Sequence, residues 1–191
     1  MRYARAYIGL CRGASMLSGP IAYLTAPLNI LLTGKLHTVP SHVFIGFVSD
    51  DNEVYFEALE STNGFMGPDN ISKLKTYLAD NPKAWATRYY LDLLEKDVQA
   101  LYEDCMDRRD VWTYAHTQLI KQYFYIRFGI KFKESPDRVT CSEAVARLLK
   151  RFRHYDLPYY AFKNLTDYIT PWDFVPAVKI WNLESSPILQ Q

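Results

Sequence analysis

A chain of 191 residues, 49% hydrophobic and 23% charged, is long enough for one domain with its own core, and its composition excludes global disorder. With 22 basic against 21 acidic residues, the net charge of +1 excludes a broad electrostatic footprint for nucleic acid. Three cysteines, Cys11, Cys105 and Cys141, cannot all pair within one chain and form no C-x-x-C. That spacing excludes a zinc ribbon or a thioredoxin-like motif and points to reduced thiols in a cytoplasmic setting.

In chain order, Met1-Arg2-Tyr3-Ala4-Arg5 lacks the basic end, apolar run and small-residue cleavage site of a signal peptide. Tyr3 to Leu10 is apolar and aromatic enough for a first strand, which Gly13 breaks. Ser18-Gly19-Pro20 opens an apolar helical stretch from Ile21 to Leu32, ended by Gly34. A bilayer span takes roughly 20 apolar residues, and Pro27 and Asn29 interrupt this stretch, so it reads as a buried helix; a membrane-surface segment is the alternative. His42 to Val48 is a β-branched and aromatic run, and Val54 to Leu59 follows across Asp50-Asp51-Asn52, which predicts a hairpin. Ser61 to Asn70 is rich in Gly, Asn and Pro and reads as a loop, and Lys83 to Tyr90 returns as a strand.

Leu91, Leu94, Val98 and Leu101 recur at helical spacing, and a second helix is predicted over Asp110 to Phe128, stopped by Gly129. Thr140-Cys141-Ser142-Glu143 matches a capping box, and Ala144, Val145, Leu148, Leu149 and Phe152 supply the apolar stripe of the helix it opens. The basic run from Lys150 to His154 then reads as a solvated helix end. Thr170-Pro171-Trp172-Asp173 is another helix start, and Ala177 to Leu183 is assigned as a last strand. Strands early, helices in the middle and a strand at the end predict a single α+β domain over residues 1–191.

Cys141 is where chemistry concentrates. With Thr140 as the cap, Cys141 is the first helical residue, where free N–H groups and the helix dipole favour a thiolate and can also hold an oxyanion. Such a nucleophile needs a base to take its proton and return it to the leaving group. Of four histidines, His37 lies in a loop, His116 within a helix and His154 in the basic run. Only His42 stands at the mouth of a buried strand that could fix its ring. Glu57, on the partner strand, is the candidate to orient that ring, with Glu60 the alternative if the register slips.

These pieces, in this order, resemble the circularly permuted papain-fold hydrolases of the YiiX/YaeF-like type, the permuted branch of the NlpC group. Ser41-His42-Val43-Phe44-Ile45-Gly46 is similar to the family's Ser-His-Val-Gly-Ile strand, and Tyr55-Phe56-Glu57-Ala58 to its Glu-Ala strand. Val139 to Val145 resembles its Cys-Ser-Glu-Leu-Val helix start, and Ile169 to Phe174 its Thr-Pro-x-Asp-Leu segment. His42 precedes Cys141, as permutation requires. Gly13-Ala14 departs from the Gly-Asp pair often found early in the family, and residues 65–132 carry no family signature.

The resemblance implies a permuted papain-like fold, an antiparallel sheet packed against helices with the nucleophile at a helix N-terminus. It further implies cleavage of an amide bond through Cys141, His42 and Glu57, in a cell-wall peptide or a small γ-glutamyl-type conjugate, with no metal or other cofactor. Two rival functions are weighed against it: lipid acyl transfer at a membrane surface, as in permuted acyltransferases resembling lecithin–retinol acyltransferase, and a non-catalytic binding module, for example a component of a virion.

Overall fold

The computed structural model describes residues 2–13, 21–23, 30, 32–59, 63–115, 117–130, 132, 136–150 and 169–188. Among them, eight strands join in one sheet of order β7-β6-β4-β3-β2-β1-β5-β8. The strands are β1 (Arg5–Arg12), β2 (His42–Val48), β3 (Glu53–Leu59), β4 (Gly64–Asn70), β5 (Trp85–Tyr90), β6 (Thr113–Tyr114), β7 (Arg138–Val139) and β8 (Ser185–Pro187). Every neighbouring pair is antiparallel except β6 and β7. The helices are α1 (Ile71–Asp80), α2 (Glu95–Arg108), α3 (Gln118–Phe128), α4 (Cys141–Leu149) and α5 (Phe174–Ile180), so the α+β class expected from the sequence is the one adopted.

The sheet is covered on both faces, which is why β1 and β2 are near-continuous apolar runs rather than alternating ones. Ala6, Ile8, Leu10, Val43, Ile45, Phe47 and Phe56 pack on α2 and α4 through Val98, Leu101, Ala144, Val145 and Leu148. The opposite set, Tyr7, Cys11, Phe44 and Tyr55, packs beneath Ile71 and Leu78 of α1 with Ala84, Ala86 and Ile188. Each large side chain so buried contributes roughly 1.5–3 kcal/mol over leaving it in water. Gly9 serves this second face. A Cβ there would meet the Phe44 ring at 2.1 Å, so only glycine lets that ring lie flat across β1.

The hairpin of β2 and β3 forms as predicted, with Ile45 opposite Phe56 and Val48 opposite Glu53. Several other expectations are corrected. The segment from Ser61 to Asn70 is not a loop throughout: from Gly64 onward it is β4, paired with β3. Its glycine and proline belong to an irregular strand, because Gly67 sits at φ 135 against the Tyr55 carbonyl, where a Cβ would lie 2.7 Å away. The helix α1 has no counterpart in the sequence reading. Its signal was present in Asn70, whose side chain accepts from the Ser72 N–H, and in the spacing of Ile71 and Leu78.

The helix expected from Asp110 begins only at Gln118. Before it, Thr113 and Tyr114 join the sheet, with the Tyr114 N–H donating to the Asn63 carbonyl at 3.1 Å. Leu91 and Leu94 likewise precede α2, Leu94 being its exposed N-cap. Ala177 to Leu183 is not a strand: α5 carries the helix opened at Pro171 through Ile180, and the terminal strand is Ser185–Pro187. Of the apolar stretch from Ile21 to Leu32, residues 21–23, 30 and 32 are described and are helical. Ala22 is buried there, but Tyr23 and Leu32 are exposed, so those two positions do not fit a buried helix. Phe152 and residues 151–154 of the basic run lie outside the described residues. Among the described residues no helix is long and apolar enough to cross a membrane.

Candidate active site

The capping box at the start of α4 closes on both sides. The Glu143 N–H donates to Thr140 Oγ1 at 3.4 Å, and the Thr140 N–H donates to Glu143 Oε2 at 2.8 Å. Thr140 and Glu143 are both fully buried, so each satisfies an orphan of the other away from water. Two neighbours that the sequence did not flag tie this helix start down. The Ser142 hydroxyl donates to the Ile169 carbonyl at 2.6 Å, and Gln122 Nε2 of α3 donates to the same carbonyl at 2.9 Å and to Thr140 Oγ1 at 3.4 Å. Ile169 in turn leads into a second box, in which the Thr170 N–H and hydroxyl both donate to Asp173 Oδ2. Cys141 is thus the first residue of a helix whose N-terminus is held from three directions.

His42 opens β2, and its approach is pinned as firmly. The Ser41 N–H donates to the Cys11 carbonyl at 3.0 Å. Arg12 Nη1 donates to the carbonyls of Leu36 and Val39, and Trp85 Nε1 donates to that of His37. The β2–β3 register puts Glu57 across from Phe44 and so diagonal to His42 on one face of the sheet. From there Glu57 Oε2 reaches His42 Nε2 at 2.7 Å, with both side chains mostly buried. That contact occupies Nε2 and leaves Nδ1 as the ring nitrogen open to Cys141, whose charge acts on the same ring.

Burial alone would drive the His42 imidazolium to lose its proton. The Cys141 charge, then the Glu57 hydrogen bond and Cys11, outweigh it and hold the ring's pKa well above its ordinary value. An imidazolium set between a thiol and a carboxylate is the arrangement that an ion-paired thiolate needs.

The structure therefore brings together Cys141, His42 and Glu57. Glu60, the alternative third member, lies outside the described residues, as do His116 and His154. His37 is exposed in the 3-10 turn Lys35–Thr38. Of the other two thiols, Cys105 is buried in α2 and burial pushes its pKa well up. Cys11 faces His42 across the β1–β2 ladder, and burial first, with Glu57 and Cys141 adding and His42 opposing, pushes its thiol up to about 12. Cys11 is a neighbour of the site that the sequence reading missed, since strand register between β1 and β2 has no local sequence signal. Among the described residues, no three His, Cys, Asp or Glu side chains are grouped as a metal ion requires.

No family model matches this chain, and no curated protein matches it. A cavity of about 500 Å³ lined by Arg5, Tyr90, Trp181 and Glu184 opens at the start of β1. Cys11 and His42 lie at the other end of that strand, roughly 20 Å away at ~3.3 Å per residue.

Proposed function

We propose that the chain is a cysteine-dependent amide hydrolase with a permuted papain-like fold, acting through Cys141, His42 and Glu57. The observation that carries this reading is the single imidazole shared between the Glu57 carboxylate at 2.7 Å and a thiol at a capped helix N-terminus. The chain order supports the permuted form: the histidine strand precedes the cysteine helix, and that helix packs on an antiparallel sheet.

In this reading Cys141 gives its proton to Nδ1 of His42 and its sulfur attacks the amide carbon. A C–S bond forms, and the carbonyl oxygen takes the electron pair against the N–H groups of the first turn of α4. As the C–N bond breaks, His42 passes the proton to the departing amine. His42 then takes a proton from water, which attacks the thioester, releases the carboxylic acid and restores the thiol. Glu57 keeps the imidazole in the tautomer and orientation both halves require.

Labelling with a thiol-reactive acyl probe tests the assignment. Wild type is expected to label at Cys141, with labelling lost in Cys141→Ala and reduced by about 100-fold or more in His42→Ala. Equal labelling in all three proteins removes the catalytic reading and leaves the fold as a binding module.

A further inference from the structure

The sheet face that carries His42 and Glu57 also carries a row of aromatic rings. Phe44 lies nearly parallel to His42, with ring centroids 6.5 Å apart and planes inclined by 22°. The Tyr55 ring meets Phe44 edge-on at 5.3 Å. Tyr55 is buried, and it precedes Glu57 by two residues on β3, so strand alternation sets both on this face. Between these two residues the β3–β4 register shifts. An irregularity of that kind increases local twist and re-aims side chains. The Tyr55 phenol thus stands on the same side of the sheet as the Glu57 carboxylate, whose charge adds to burial in pushing the phenol pKa up.

His42 engages only one carboxylate oxygen, Oε2. A mostly buried carboxylate that lacks further donors is costly, and with one partner it is free to rotate about its last bond. We propose that Tyr55 is a positioning residue of the site, its hydroxyl donating to Glu57 and fixing the carboxylate so that Oε2 stays aimed at His42 Nε2. The catalytic consequence of this link rests on the hydrolase reading above; the link itself does not.

The protonation states fit. Burial, then Glu57, Asp69 and Cys11, all push the Tyr55 phenol up, so it remains an O–H donor where the enzyme works. Asp69 is its cross-strand partner on β4 and is itself paired with Lys73 of α1. The titratable groups facing His42 are Cys141 from α4, Glu57 from β3 and Cys11 from β1.

Tyr55→Phe removes the hydroxyl and keeps the ring on Phe44. Its effect is read first by NMR titration of His42 in a Cys141→Ala background, which needs no reactivity. There the His42 pKa is expected to fall by about half a unit to one unit when Tyr55→Phe is added. With Cys141 intact, Tyr55→Phe is expected to slow iodoacetamide alkylation at about pH 7 by roughly threefold to tenfold. Glu57→Gln slows it more, and Tyr55→Phe adds nothing further to Glu57→Gln, because the hydroxyl acts through that carboxylate.

An unchanged His42 pKa, or additive effects in the double variant, overturns the proposal. If wild-type Cys141 is alkylated no faster than a free thiol, the hydrolase reading fails while the titration still decides the role of Tyr55.

Discussion

At the scale of single residues, the imidazole of His42 sets how the site responds to pH. Its folded pKa is raised, chiefly because Cys141 and Glu57 outweigh burial. A group with a raised folded pKa contributes stability that is fully present below its unfolded pKa, about 6.5 for histidine, and is lost as pH rises through the folded value. Thermal melts taken from about pH 6 upward should therefore show a falling contribution that Glu57→Gln flattens, since the amide still accepts from Nε2–H but no longer carries the charge that favours the imidazolium. A pH–Tm slope unchanged by Glu57→Gln removes that ion pair from the account. His42, Glu57 and Cys141 were legible from sequence because each sits at a position with a local signature: a strand mouth, a period-two partner and a capping box. Tyr55 and Cys11 were not, because what they touch is decided by register and by a local shift in the ladder, neither of which a linear pattern encodes.

At the scale of elements, α4 shows how a short sequence signal becomes a functional position. The box of Thr140 and Glu143 defines where the helix begins, and so which residue stands at its first position. Thr140→Ala removes the acceptor for the Glu143 N–H and a partner of Gln122 Nε2, both buried. A cap of this type contributes about 1 kcal/mol, up to roughly 2, and a buried donor left without its partner adds to the loss. Denaturant melts should show that decrease for Thr140→Ala and little for Thr140→Ser, with Cys141 alkylation slowed only in the former. The elements misread at the β4–β6 end of the sheet share one physical cause. In β4, β6 and the approach to α3, turn-like or helical patterns were overridden by pairing at the sheet edge, where the Phe65 N–H finds the Trp112 carbonyl at 3.1 Å.

At the scale of the whole molecule, the sheet is buried on both faces and the site draws on both: His42 and Glu57 stand on one, and Cys141 opens the helix that packs on the other. β1 lies between β2 and β5, with Ile8 and Leu10 directed at α2 and α4 and Tyr7 and Cys11 directed at the face that bears His42. Two substitutions on this one strand should therefore part company. Gly9→Ala places a methyl group 2.1 Å from the present position of the Phe44 ring, which must move. Overpacking of that kind costs typically 1–3 kcal/mol. Because Phe44 also stacks on His42 and abuts Tyr55, its displacement should slow Cys141 alkylation as well as lower Tm. Ile8→Val, beneath α2 and α4 on the opposite face, should lower stability by ~0.5–1.5 kcal/mol and change the alkylation rate far less, because the start of α4 is held by Thr140, Glu143 and Gln122 and not by Ile8. Equal loss of reactivity in both variants would mean that general loosening, not the Phe44 contact, carries the effect. Loss confined to Gly9→Ala would tie the site to the aromatic row that glycine makes room for.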